Sequence, residues 1–328
     1  MSAAFERIRF RSMKSRPFRF MAGAGRPADH RELVEHARRA EALGYDALVF
    51  SDHLTQPLAP LPALVAVAAA TTRLRVATFV LNNDLRHPAV LAQELATIDV
   101  LSGGRLDVGL GAGWNRVEYE RSGIAFDPVG RRVSRMEEAI AVLKGLFADG
   151  PFSFDGAHYR IAEMDGLPKP VQRPHPPLMI GGGGRRVLGI AGREAQIVSL
   201  APRLPTPEHP DVVGCLAEGT AEKIGWVRAG AGDRFDEIEI CTYPPVEPVT
   251  VLADRRARAR EVADQLRAAF QVEVTEDQVL DSPHIFLGTV DELVEKCLSL
   301  RERFGISNVM VGAQIEAFAP VVERLAGT

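Results

Sequence analysis

Cysteine is scarce in this chain: three residues in 328, Cys215, Cys241 and Cys297, far apart and in no paired spacing. That excludes a disulfide framework and a cysteine-based metal centre, so the three read as buried thiols in a reducing, cytoplasmic compartment, and no metal is expected. Long apolar runs are also missing. The most apolar stretch, residues 61–70, is about half of what crossing a bilayer takes, which argues against a membrane segment. Nor is there a strong excess of charge of either sign: the formal net charge of -4 gives no electrostatic case for nucleic acid or an anionic membrane as partner. The first residues are rich in arginine and lysine but lack the apolar core of a secretory signal, and residues 1–17 read as an N-terminal extension.

What remains is ordinary globular material, 46% hydrophobic and 25% charged, long enough for one large domain over residues 18–328. Strand and helix patterns alternate almost throughout. Strands are expected at 18–22, 45–50, 74–81, 105–110, 177–180, 195–200, 237–242 and 306–311, each with a helical partner. Asp29 and Glu32 mark a capped helix start, Gly44 a stop, and Pro88 a first-turn proline. Residues 149–176, dense in proline, glycine and aromatics, interrupt the rhythm as an inserted segment, and 201–216 form a second long loop. Eight βα units without a break at a domain boundary predict a closed (β/α)8 TIM barrel.

Polar and glycine-rich clusters fall at the C-terminal ends of the expected strands, which share one face of such a barrel. The most prominent is Ser51-Asp52-His53, which follows an apolar run. Either this is chemistry delivered by a strand end, or Ser51 or Asp52 caps the next helix. After the third strand comes 82–88, Asn-Asn-Asp-Leu-Arg-His-Pro. Gly109-Leu110-Gly111-Ala112-Gly113 follows in the fourth unit; it is a poor dinucleotide fingerprint but a plausible clearing for a flat ring lying against backbone. Trp114 is either a wall for that ring or a core aromatic. Gly181 to Gly184, four glycines in a row ahead of a helix, suit an anion approached by backbone N–H groups, or else a plain tight turn. Arg203 either meets an anionic group or faces solvent.

Taken with 86–89 (Arg-His-Pro-Ala), the run 96–105, Gly109 to Trp114 and 168–182, the Ser51-Asp52-His53 stretch resembles the luciferase-like monooxygenase superfamily, and within it the oxidoreductases that use the deazaflavin coenzyme F420. The resemblance covers nearly the whole chain from about residue 18. It implies a luciferase-like TIM barrel, usually a homodimer, that binds F420 or FMN. By position it implies that Asp52 touches the cofactor ring, that His53 is the acid/base group with Asp52 orienting it, and that a non-proline cis peptide lies at Phe79–Val80. Asn82 would meet the ring edge, Ala112 and Gly113 would lie along the cofactor, and Gly182, Gly183, Gly184, Arg186 and Val187 would hold its phosphate. Trp114 would face the substrate.

The sequence departs from the family's sugar-phosphate dehydrogenases, which carry glutamates near the end of strand one and in the strand-four loop; here those places hold Ala22 or a neighbouring glycine, and Trp114. Oxidation of a sugar phosphate is therefore not the expectation. The resemblance implies hydride transfer between F420 and a small organic substrate. Two alternatives stand beside it: an FMN-dependent monooxygenase served by a reductase, and a barrel that has lost its cofactor and its catalysis.

Overall fold

The computed structural model describes residues 16–206 and 209–328, with no account of the side chains at 204–210. The expected extension lies almost wholly outside the described residues. Eight parallel strands close on themselves: β1 (Arg19–Gly23), β2 (Ala47–Phe50), β3 (Arg75–Thr78), β4 (Leu106–Gly111), β5 (Leu178–Gly182), β6 (Ile197–Leu200), β7 (Glu239–Thr242) and β8 (Ile306–Met310). Each expected strand is found. Closure is made by β8 against β1, in the register Arg19 with Asn308, while β3 joins β4 in the register Val76 with Leu106. All eight are short and, apart from charged and polar residues mostly near their starts, apolar and mostly buried, as strands covered on both faces must be.

The barrel interior is a packed core, as this architecture requires. Met21, Ala47, Val49, Ala77, Met179, Ile197 and Cys241 fill it, and Phe79, Val80 and Met310 close it on the side where the strands end. At the opposite end the filling is ionic. Asp107 receives Arg19 at 3.0 Å and Arg75 at 3.0 Å, and Arg19 also reaches Glu239 at 3.3 Å. Those charges sit at the starts of strands, so they brace the floor and leave the other rim for ligands. The three cysteines are buried, and burial pushes the Cys215 thiol up to about 11 and Cys297 up to about 12. Thiols so placed are inert at neutral pH.

The outer helices obey their local signals. In α1 (His30–Ala42), Asp29 accepts from the backbone N–H of Glu32 at 2.9 Å. α2 (Pro60–Ala70) and α3 (Pro88–Leu101) both start on proline. Between β4 and β5 the structure has α4 (Arg116–Ser122) and α5 (Val129–Phe147). Only α5 was legible as a helix. α4 is short, mostly polar and closed by Gly123 at φ 74, so its sequence reads as loop.

The 149–176 segment folds as an antiparallel hairpin, Phe152–Asp155 with Arg160–Met164, and 201–216 contains a second, Arg203–Thr206 with His209–Asp211. Beyond these, α6 (Arg185–Glu194), α7 (Ala217–Ala231), α8 (Arg255–Phe270), α9 (Glu276–Asp281), α10 (Val290–Phe304) and α11 (Ile315–Leu325) complete the shell. No described helix is long and apolar enough to cross a membrane.

Candidate functional site

The third strand does not run through to position 81 as its apolar sequence suggests. It stops at Thr78, turns through a cis peptide at Phe79–Val80, and resumes at Leu81–Asn82. That is the position the resemblance assigned. Thr78 repairs the ladder across the break, because its hydroxyl donates to the Gly109 carbonyl at 2.9 Å and accepts from the Gly109 N–H at 2.8 Å.

Glycine is needed opposite this bulge. A Cβ on Gly109 would stand 2.0 Å from the Thr78 carbonyl oxygen, one on Gly111 would stand 2.7 Å from a Val80 methyl, and one on Gly181 would stand 3.2 Å from the other. The clearing that the sequence offered to a flat ring is therefore filled, at Gly109 and Gly111, by the protein's own bulge. Any ring must lie above Val80 rather than in its place.

Around this bulge the rim assembles. Asp52 at the end of β2 is buried; its carboxylate accepts from the Asn82 N–H at 3.0 Å and from two nitrogens of Arg86, at 2.6 and 3.2 Å. It thus ties the end of β2 to the loop after β3. Asn82 is held in turn: its side-chain oxygen accepts from the Tyr119 hydroxyl at 2.9 Å and from the Asp84 N–H at 3.1 Å. The Tyr119 hydroxyl also lies 3.0 Å from an Asp84 carboxylate oxygen, so its one hydrogen is shared between Asn82 and Asp84, and Asp84 pairs with Arg135 at 2.9 Å. Burial pushes the Tyr119 phenol up to about 12, so it stays a donor throughout the physiological range.

His53 differs from the expectation in its partner. Asp52 does not orient it, since that carboxylate is committed to Arg86 and Asn82. Instead Nδ1 of His53 lies 2.9 Å from Oε2 of Glu118 on α4, and the other oxygen of Glu118 accepts from the Thr55 hydroxyl at 3.2 Å. Nε2 has no protein partner among the described residues. Trp114, about half exposed, sets its ring edge-on to His53 with centroids 5.7 Å apart. It belongs to the rim, not to the core.

Ala112 and Gly113 are fixed from below by Arg132, whose guanidinium donates to both carbonyls. Gly113 packs against Asn82 and the Tyr119 hydroxyl. The glycine run divides by role. Gly182 is covered by Val187, Gly183 by the carbonyls of Ala201 and Pro202, while a Cβ on Gly184 would meet nothing within 4 Å. Gly184 is the N-cap of α6, and no side chain caps that end. The first N–H groups of α6 are therefore available to an anion. Arg186 is not directed there; it donates to the Gly130 carbonyl and to Ser134, each at 2.9 Å, on α5. Arg203 pairs with Asp211 at 2.9 Å.

Sequence reasoning missed Glu118, Tyr119, Arg132 and Arg135. Their signal was weak because the contacts that matter come from helices around a loop with no apolar period. It did bring His53, Asp52, Phe79, Val80, Asn82, Gly113, Trp114 and the glycine run to one rim.

Comparison with known proteins gives the family and the fold. The model of the family described as luciferase-like monooxygenase matches residues 13–305. An FMNH(2)-dependent dimethylsulfone monooxygenase of Pseudomonas putida is 39% identical over 128 residues, 39% of this chain and 35% of that protein. An F420-dependent glucose-6-phosphate dehydrogenase of Microbacterium testaceum is 33% identical over 223 residues, 65% of each chain. The chain thus spans less than two thirds of the length of either relative. Among solved structures, the coenzyme F420 dependent tetrahydromethanopterin reductase of Methanopyrus kandleri superposes with a TM-score of 0.74 at 19% identity, covering 94% of this chain and 96% of that one.

Proposed function

Because the chain belongs to the luciferase-like monooxygenase family, we propose that it is an oxidoreductase that holds coenzyme F420 across this rim and exchanges a hydride between it and a small organic substrate. The observation that carries the reading is the His53–Glu118 pair: an imidazole fixed through Nδ1, with Nε2 unengaged among the described residues, on the rim that also holds the uncapped end of α6.

The residues present fit such a cofactor. Gly184 leaves an open cradle at the positive end of α6 for a phosphate, with Gly182, Gly183 and Val187 shaping the turn that presents it. Phe79 and Val80 close the apolar barrel interior and would lie beneath a bound ring, with Asn82, Ala112 and Gly113 the residues that would border it. When bound, a deazaflavin or flavin supplies a two-electron centre for hydride transfer. The chain's own part is positional and acid-base. His53 holds or takes the proton that balances the hydride, at Nε2; Glu118 keeps the ring oriented; Asp52 and Arg86 hold the loop that carries Asn82.

An FMN-dependent monooxygenase on the same rim is the second reading, favoured by the 39% identity to the dimethylsulfone enzyme. It requires a flavin reductase as partner. A homodimer and a cytoplasmic location belong to both readings and are checked by sizing chromatography and cell fractionation.

The deciding experiment titrates the purified chain with F420 and with FMN while following protein fluorescence, with Trp114→Phe as control. Preferential binding of F420 supports the first reading. Preferential FMN binding, with substrate-dependent oxygen uptake once reduced, supports the second. Binding of neither leaves a non-catalytic barrel.

A further inference from the structure

Beside the bulge, between the ends of β1, β2, β3 and β8, lies a cavity of about 230 Å³. That is below the roughly 300–1,000 Å³ of sites that take drug-sized ligands. Its walls are Val49, Phe50, Pro57, Leu58, Phe79 and Met310, with short stretches of glycine and alanine backbone, and no charged side chain lines it. Phe79 is shared with the cofactor floor, so the cavity adjoins the proposed reaction centre.

Two side chains give this apolar pocket its polarity, Ser51 and Gln56. Arg26 donates to the Gln56 side-chain oxygen at 3.3 Å, which fixes which way the amide faces. The amide nitrogen of Gln56 then donates to the Ser51 hydroxyl oxygen at 3.3 Å. Ser51 is thereby an acceptor for Gln56, and among the described residues its own O–H has no acceptor. A guanidinium at the head of the chain polarises each successive bond, which strengthens that last donor. Arg26 does not line the cavity, and its guanidinium is taken up by Gln56 and by the Thr55 carbonyl, each at 3.3 Å.

We propose that the substrate is a small uncharged molecule, largely apolar, bearing one acceptor oxygen such as a ketone or sulfone oxygen, and that the Ser51 hydroxyl recognises this oxygen while the apolar walls take the rest. This rests on reading the rim as the cofactor site and adds the class of substrate. A phosphorylated or carboxylated substrate would bury its charge against carbon with no cation to meet it.

The test is ligand-observed NMR on the full chain with two matched probes, cyclohexanone and cyclohexyl phosphate, with and without saturating F420 or FMN. Cyclohexanone is expected to bind at least tenfold more tightly than cyclohexyl phosphate. Ser51→Ala should weaken cyclohexanone about tenfold, the effect of one good hydrogen bond, with the melting temperature unchanged. Ala313→Trp, at an exposed lining position, should abolish binding by filling the space. Equal or tighter binding of the phosphate, no effect of Ser51→Ala in a folded protein, or displacement of cyclohexanone by F420 or FMN would each overturn the proposal. Because the probes need no cofactor, failure of the chain to bind F420 and FMN sinks the functional reading separately.

Discussion

Oε2 of Glu118 lies 2.9 Å from Nδ1 of His53, a contact between the end of a barrel strand and a short helix 65 positions further on. It is the only hydrogen bond to the His53 ring among the described residues, so it decides which nitrogen is left for chemistry. His53→Ala is expected to reduce turnover by about 10²- to 10⁴-fold, the usual worth of a positioned acid-base group, with cofactor affinity within a few-fold of the parent. Glu118→Ala should cost less in kcat, because the imidazole survives but is no longer aimed. Steady-state kinetics and cofactor titration on the two variants check this; turnover unchanged in His53→Ala removes the residue from the mechanism.

Asp52 and Arg86 form the second decisive pair. Removing the guanidinium leaves a buried carboxylate facing only one backbone N–H, and breaking a buried pair by one partner costs about 3–5 kcal/mol. Arg86→Ala should therefore lower the midpoint of denaturation substantially, and Asp52→Asn in the same chain should restore part of the loss. A double-mutant cycle by urea unfolding measures the coupling. Additive effects would mean that the pair does not act as a unit.

Glycine substitutions should separate fold from binding. Gly109→Ala drives a methyl to within 2.0 Å of the Thr78 carbonyl, and neither strand can move without disturbing the barrel. Loss of soluble protein, or a fall of several degrees in Tm, is expected. Gly184→Ala meets open space and an ordinary backbone, φ -93 and ψ 150. Its Tm should hold within a degree or two, while the added methyl at the cradle weakens cofactor binding. Calorimetry and titration on the same two proteins read both effects.

His284 supplies a pH dependence. It is fully buried between Thr242, which spends its own proton on the Pro283 carbonyl, and the Tyr243 carbonyl, so Nδ1 carries the hydrogen and Nε2 is bare. Burial, with a smaller contribution from the Lys223 charge, lowers its pKa from 6.5 to about 3. In the unfolded chain the ring protonates first, so between pH 6.5 and about 3 unfolding takes up a proton. Stability from this group is fully present above pH 6.5 and is lost as the pH falls, by up to about 1.4 kcal/mol per unit. Chemical denaturation across that range should show the slope, and His284→Asn should flatten it.

Much of this protein was legible in its residues. The eight strands were, since a strand buried on both faces must be a short apolar run and each is bounded by its own cap, glycine or proline. So was the side of the barrel that carries the rim, because polar residues appear abruptly where each run ends. The position of the bulge came only by likeness to a family: nothing in the apolar run from 74 to 81 marks a break at Phe79, and the glycines that permit it lie on β4 and β5.

Tertiary structure alone decided the partners. Asp52 and His53 are neighbours in sequence, yet in the loop after β2 one carboxylate faces Arg86 while the adjoining imidazole faces Glu118. Arg186 stands beside the glycine run and is nonetheless held by α5, whose carbonyl and hydroxyl lie within its reach. Local pattern determines which segments form strands and helices; which side chains meet depends on the closure of β3 against β4 and β8 against β1, and that pairing joins residues too far apart for any local signal to connect.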